Sequence, residues 1–143
     1  MTTLTLENIL GGVTVLKKKP HSSLDLVALI RNGLPAASID SVTKAVSLTL
    51  SELGMTLGIP GRTLARRKKK GKLDPEESEK VVRLARVVRR AVEVFEKQDL
   101  AIDWLKHPNR ALRSQTPLSL LDTEFGAESV MDLLGRIEEG VFS

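Results

Sequence analysis

Basic side chains are concentrated in one short segment, from Arg62 to Lys72, and they suit a polyphosphate partner. Arginine can read guanine edges bidentately in the major groove of DNA, whereas lysines on phosphates add salt-sensitive affinity. We therefore expect this segment to bind DNA, although a solvated basic loop is the alternative. The candidates for the groove are Arg62, Thr63, Arg66 and Arg67. The candidates for the phosphate backbone are Lys68, Lys69, Lys70 and Lys72.

The residues before and within this segment, LSELGMTLGIPGRTL, follow a pattern that is typical of a helix-turn-helix. Leu53 and Leu57 lie four residues apart, on one face of a first helix. Gly54 fits a close helix crossing, and Gly58 can supply the positive φ of a tight turn. Pro60 stands where Ser or Thr usually caps the second helix, and it has no side-chain oxygen. Because the pattern coincides with the charge, DNA binding is favoured over the basic loop.

Few side chains could carry catalysis or bind a metal ion. The chain has no cysteine and only two histidines, His21 and His107, neither with a second ligand or a base at helical spacing. Asp99 and Asp103 lie four residues apart, which is typical of a solvated helix face. No phosphate-binding loop, dinucleotide fingerprint or metalloprotease motif occurs in the sequence. We therefore predict no enzyme activity, no catalytic residue, no cofactor and no metal site.

The composition predicts an all-α fold. Aromatic residues make up only 3% of the 143 residues, so the core must be built from Leu, Val, Ile and Ala, which suits packed helices better than sheets. No apolar run approaches the ~18 residues of a membrane span. The basic cluster near the N-terminus follows a short apolar stretch, which is the reverse of a secretory signal. We expect a cytoplasmic protein that makes no membrane contact.

Helix signals and charge divide the chain into three parts. Residues 1–20 lack periodicity and are expected to form a mobile N-terminal arm. Residues 21–74 hold the helix-turn-helix region. Residues 75–143 comprise a long connecting helix and a smaller helical C-terminal half. Twelve basic against four acidic side chains lie in residues 62–92, and five against ten in residues 93–143, which indicates two surfaces with different partners.

Capping signals predict where the main helices begin and end. A first helix begins at Ser22 or Ser23 and ends at Gly33, the usual left-handed stop. A long helix is capped by Asp74 and runs to about Lys97. The apolar residues of the first helix are expected to share its inner face; they are Leu24, Val27, Ala28 and Ile30.

From Leu57 onward the sequence resembles the Xre/MbcA/ParS-type antitoxins of RES–Xre toxin–antitoxin pairs. The matching blocks are LGIPGRTLARRKKKGKL, then PEESEKVVRLARVVRRAVEVF, then AIDWLKHPNRALRSQTPLSLLDTEFGAESVMDLLGRIEEGVF, in this order and spacing. Together they cover more than half of the chain. Pro60, in place of the usual Ser, is where the chain departs from the family motif.

The resemblance implies a function that spacing alone does not. The partner would be a cognate RES-domain toxin that consumes NAD, neutralised when the C-terminal domain covers its active-site entrance. The helix-turn-helix would bind operator DNA and repress the operon, as a homodimer within a larger toxin–antitoxin complex. The implied toxin-binding residues are Arg136, Glu138, Glu139, Gly140, Val141 and Phe142.

Two other functions stay open. One is a helix-turn-helix transcription regulator whose C-terminal half senses a ligand or dimerises and has no toxin partner. The other is an interaction protein whose helix-turn-helix is vestigial. A stable complex with the product of an adjacent gene would count against the first. A large loss of promoter occupancy on removing Arg66 and Arg67 would exclude the second.

Overall fold

A computed structural model gives the structure of the chain and describes residues 4–140. Within this range the backbone forms nine α-helices, two short 3-10 turns and no β-strand, so the predicted all-α fold class is confirmed. None of these helices is long and apolar enough to cross a membrane. The helices are α1 Leu6–Ile9, α2 Gly12–Leu16, α3 Ser23–Asn32, α4 Ala37–Val46, α5 Leu50–Leu57, α6 Gly61–Lys70, α7 Pro75–Phe95, α8 Gln98–Lys106 and α9 Glu124–Glu138. The 3-10 turns are Arg110–Leu112 and Leu118–Leu120.

The long helix α7 is the element against which both halves of the chain pack. Asp74 caps it in a capping box with Glu77, as the sequence predicted, and the helix ends at Phe95, two residues before the predicted end. Its apolar stripe is buried under α1, α3, α4 and α5 on the N-terminal side and under α8 and α9 on the C-terminal side. The buried apolar residues of α7 are Val81, Val82, Leu84, Ala85, Val87, Val88 and Ala91.

The N-terminal segment is folded where the structure describes it. Helices α1 and α2 lie within residues 4–20, and Ile9 and Leu10 are fully buried. The Ser38 hydroxyl donates a hydrogen bond of 2.6 Å to the carbonyl oxygen of Leu10, which fixes the segment on α4. The mobile arm predicted for residues 1–20 is therefore wrong over this part. Helices of four and five residues are too short to show a period, and packing rather than propensity holds them.

Helix α3 has the predicted ends but a different inner face. The Ser22 hydroxyl accepts a hydrogen bond from the N–H of Asp25 at 3.2 Å, and Gly33 ends the helix with φ +88°. Leu24, however, is 77% exposed and Val27 37%, so the predicted face does not point to the core. Apolar residues occur all around this helix, and spacing therefore does not select the side that packs on α7.

In the C-terminal half, α8 and α9 pack against α7. Trp104 is half-buried and its ring lies 5.5 Å from that of Phe95, so α8 is fixed to the end of α7 by an aromatic pair. At the start of α9, Gly126 approaches the backbone of the second 3-10 turn. A Cβ atom at Gly126 would clash with the carbonyl oxygen of Leu120.

We expect Gly126→Ala to lower the free energy of unfolding by about 2–3 kcal/mol, because a backbone atom in the way cannot rotate aside. Gly135→Ala is the matched control on the same helix, since a Cβ atom there meets nothing within 4 Å. The control should raise stability by about 0.5–1 kcal/mol through helix propensity. Urea denaturation measures both changes. Equal effects of the two substitutions would contradict the close approach at Gly126.

Candidate functional site

Helices α5 and α6 form the helix-turn-helix that the sequence predicted. Helix α5 begins with a capping box in which the Thr49 hydroxyl and the Glu52 carboxylate bond each other's backbone N–H groups. The hydrogen bond from the Thr49 N–H holds the pKa of Glu52 below its ordinary value. Gly58 has φ +70° in the turn, and a Cβ atom at Gly54 would lie 2.6 Å from the carbonyl oxygen of Ile59. Both predicted glycine roles are therefore confirmed.

Helix α6 presents a basic stripe to solvent, which we call the outer face of α6. It comprises Arg62, Arg66 and Lys69, which follow each other at intervals of four and three residues and are all exposed. Leu64, on the opposite side, is fully buried. Thr63 lies beside the outer face, and its hydroxyl accepts a weak hydrogen bond of 3.5 Å from Arg66. The helix starts without a side-chain cap, because Pro60 precedes it.

Arg67 has a different position from the other predicted groove residues. Its Nε donates a hydrogen bond of 2.9 Å to Glu77, and its guanidinium lies 3.6 Å from the Asp74 carboxylate. The hydrogen bond to Glu77 raises the pKa of Arg67. The same Glu77 oxygen accepts the N–H of Asp74 at 3.0 Å. Arg67 thus joins the end of α6 to the start of α7, and this internal role corrects its assignment to the groove.

The four lysines predicted to contact phosphate are in different surroundings. Lys68 forms an ion pair of 2.8 Å with Asp40 of α4. Lys69 and Lys70 are exposed in the last turn of α6, where cations complement the helix dipole. Lys72 follows Gly71 and makes a backbone bridge to Pro35. Three of the four therefore remain available to an external anion.

A second candidate surface lies on α9. Five exposed residues recur at intervals of three and four on the side opposite the buried Val130 and Leu134, and we call them the outer face of α9. Phe125 is the one apolar residue among the five, and it is 83% exposed. The sequence analysis missed Phe125. Its spacing from Val130 and Leu134 places it on the opposite side of the helix, and this signal could have identified it. The members of the face are Phe125, Glu128, Asp132, Arg136 and Glu139.

The predicted toxin-binding residues divide between this face and the packing beneath it. Arg136 and Glu139 belong to the outer face of α9, and Gly140 follows it with φ +79°. Glu138 instead forms a bidentate ion pair with Arg90, with distances of 2.8 and 3.0 Å. This pair holds α9 on α7, so Glu138 positions the helix rather than presenting a free carboxylate. Val141 and Phe142 lie outside the described residues.

The Arg90 pair makes stability depend on pH. The hydrogen bond from Arg90 holds the pKa of Glu138 below its ordinary value of 4.5. A group with a lowered folded-state pKa stabilises the fold above its unfolded-state pKa, and this stabilisation is lost as the pH falls through the folded-state value. Glu52 contributes in the same direction.

We expect Glu138→Gln to lose less stability than the unaltered chain between about pH 5 and about pH 3, because the variant lacks one of the carboxylates that must be protonated. Glu139→Gln is the control, since Glu139 is exposed and makes no ion pair with residues 4–140. Urea midpoints at each pH measure the difference. Identical pH profiles for the Glu138 variant and the unaltered chain would refute the role of the pair.

The fold and these two surfaces define a helix-turn-helix protein with an appended helical domain. Residues 25–86 match the family described as the antitoxin Xre-like helix-turn-helix domain. Residues 90–140 match the antitoxin Xre/MbcA/ParS C-terminal toxin-binding domain. The chain belongs to the Xre antitoxin family, which confirms the resemblance read from the sequence.

Individual relatives agree with this assignment. Antitoxin Xre of Yersinia enterocolitica is 42% identical over 120 residues, which cover 82% of this chain and 81% of that protein. Antitoxin Xre of Photorhabdus laumondii is 39% identical over 126 residues, covering 87% and 82%. The crystal structure of the MbcT–MbcA toxin–antitoxin complex of M. tuberculosis contains a similar chain, with 25% identity and a TM-score of 0.56 over 76% of this chain and 96% of that one.

Proposed function

We propose that this antitoxin neutralises a RES-domain toxin that consumes NAD, and that it does so by covering the entrance of the toxin's active site with its C-terminal half. The observation that carries the proposal is the outer face of α9. It joins an exposed aromatic residue, Phe125, to three carboxylates and one guanidinium within the toxin-binding domain. Exposed aromatic and arginine side chains are the residue types that dominate binding energy at interfaces.

The charge of this half fits such a partner. Residues 93–143 carry ten acidic and five basic side chains, and Glu128, Asp132 and Glu139 stand on the outer face of α9. A cleft that binds the negatively charged NAD is expected to be basic, so the two surfaces attract each other. Arg90 and Glu138 support the contact indirectly, because they fix the orientation of α9.

We also propose that the outer face of α6 binds operator DNA and represses the antitoxin's own operon. In this proposal Arg62, Thr63 and Arg66 contact base edges, and Lys69, Lys70 and Lys72 contact phosphates. The exposure of these five basic side chains supports it. A homodimer within the toxin–antitoxin complex would present two such helices to the two halves of an operator.

Co-expression with the adjacent reading frame tests the toxin proposal. A tagged copy of this chain should recover a stable complex, and host NAD should be preserved only when this chain is present. If nothing co-purifies and NAD is unaffected, the toxin proposal fails and the alternative becomes a helix-turn-helix regulator without a toxin partner. Promoter binding by the purified chain, measured separately, tests the second proposal independently of the first.

A further inference from the structure

A cavity of about 690 Å³ is lined by residues of the N-terminal half of the chain, and none of its lining residues belongs to the outer face of α6 or the outer face of α9. Its lining comes from three parts of the chain, namely residues 16–21, α3 with the segment that follows it to Pro35, and Gly71 with Lys72. Its volume falls within the range of roughly 300–1,000 Å³ that is usual for small-molecule sites. Neither the helix-turn-helix nor the toxin-binding domain requires a cavity at this place.

The backbone around the cavity is fixed by hydrogen bonds. The N–H of Ala36 donates to the carbonyl oxygen of Gly71 at 2.9 Å, and the N–H of Leu73 donates to that of Leu34 at 2.9 Å. On the other side, the N–H of His21 donates to the Asp25 carboxylate at 2.7 Å. The stretch from Gly71 to Leu73 and the N–H of His21 are therefore both attached to the segment that carries α3.

The lining combines apolar residues, which we call the floor, with four lysines, which we call the rim. Leu16 is buried, and Ala28, Leu29 and Pro35 complete the apolar surface. Four lysines stand around it, against a single carboxylate, that of Asp25, which already accepts the His21 N–H. The four are Lys17, Lys18, Lys19 and Lys72.

Three of the four rim lysines lack an acidic partner within the part of the chain that the structure describes. Only Lys19 is near a carboxylate, at 3.8 Å from Glu7. Arg67 and Lys68, by comparison, both form ion pairs in the adjacent helix α6. Lys17 moreover is the C-cap of α2 and has φ +66°, a conformation that L residues rarely adopt, so α2 ends at the first of these lysines. The rim therefore carries an excess of positive charge, four lysines against the carboxylate of Asp25 in the lining and that of Glu7 beside Lys19.

We propose that this cavity binds a small organic anion, with an apolar body on the floor and a carboxylate, sulfonate or phosphate group among the lysines. The charge complementarity selects an anion, and the floor of Leu16, Ala28 and Leu29 selects an apolar body. The competing occupant is the phosphate backbone of DNA, since Lys72 follows α6 closely. DNA phosphates would use the lysines but would leave the apolar floor without a partner.

The test titrates the full chain, without DNA or toxin, with 1-anilinonaphthalene-8-sulfonate, a fluorescent anion with an apolar body. We expect one saturable site per chain. Ala28→Trp fills the floor and should lower the affinity for the probe at least 10-fold. Ala111→Trp, at an exposed alanine of the first 3-10 turn, is the control and should change this affinity less than 2-fold. Because the measurement omits DNA and toxin, its outcome is independent of the proposed function.

Charge variants and competitors test the rim. Lys18→Gln combined with Lys72→Gln should lower the affinity for the probe at least 10-fold. Lys44→Gln combined with Lys97→Gln removes the same charge elsewhere and should leave this affinity unchanged. Decanoate should displace the probe, and inorganic phosphate at the same concentration should not, because it has no apolar body. Equal binding by all variants, or equal displacement by phosphate, would overturn the proposal. Unchanged probe binding with weaker operator binding in the rim variant would also overturn it, in favour of a DNA-backbone contact.

Discussion

A chain that ends after Glu139 is expected to keep its fold and to lose toxin neutralisation. The shortened chain retains Ile137, which packs against the core, and Glu138, which pairs with Arg90, so α9 stays on α7. It lacks the apolar residues Val141 and Phe142, which the family resemblance assigns to the toxin. Loss of an aromatic anchor should weaken binding at least 100-fold, or about 2.8 kcal/mol. Toxin affinity measured by calorimetry, and NAD in co-expressing cells, give the result.

Two further variants distinguish the C-terminal tail from the outer face of α9 as the surface that binds the toxin. A chain that ends after Arg136 also loses Ile137 and Glu138, and we expect it to be less stable as well as inactive. Phe125→Ala leaves the C-terminus intact and tests the outer face of α9, where we expect about 10-fold weaker binding. Full protection by the chain that ends after Glu139 would remove the tail from the mechanism. Protection lost only with Phe125→Ala would assign the contact to α9 itself.

The helix-turn-helix could be predicted from the sequence because its determinants are local. Gly54 and Gly58 are four residues apart, and each is required by backbone geometry that the neighbouring residues already imply. Asp74 likewise caps α7 through contacts three residues away. Helix α3 shows the opposite case. Its ends are set locally, but its packing face depends on α7, which begins more than 40 residues later, and Leu24 and Val27 were placed wrongly.

Charged residues in the candidate sites show the same limit. In the sequence Arg67 looks like its neighbours in the basic segment. In the structure it donates a hydrogen bond to Glu77, ten residues further along, and so joins α6 to α7. Glu138 looks like a free carboxylate, but its partner Arg90 lies 48 residues away. Spacing identifies which residues share a helix face, whereas the choice of an ion-pair partner is made by the packing of distant helices. The sequence therefore placed Arg62 and Arg66 together on α6, whereas the ion pairs of Arg67 and Glu138 could not be read from it.

We expect Arg62→Ala combined with Arg66→Ala to abolish sequence-specific operator binding while leaving the fold intact, because both side chains are exposed on the outer face of α6. Each base-reading arginine contributes ~1–3 kcal/mol, so the pair should lower operator affinity by roughly 30-fold to 20,000-fold. The ratio of the affinity for the operator to the affinity for unrelated DNA should fall as well. Fluorescence anisotropy at several salt concentrations, with both DNAs, measures affinity, specificity and the number of phosphate contacts.

Two single variants separate base reading from phosphate contact and from folding. Lys69→Gln should weaken binding to all DNA sequences alike and lower the salt slope by about 0.9. Arg67→Ala should reduce the urea midpoint, because it breaks the link to Glu77, but should leave the discrimination between sequences unchanged. If the double arginine variant occupied the promoter as well as the unaltered chain, α6 would not read DNA. The chain would then act through its toxin-binding half alone, with the helix-turn-helix retained only as a support for α7.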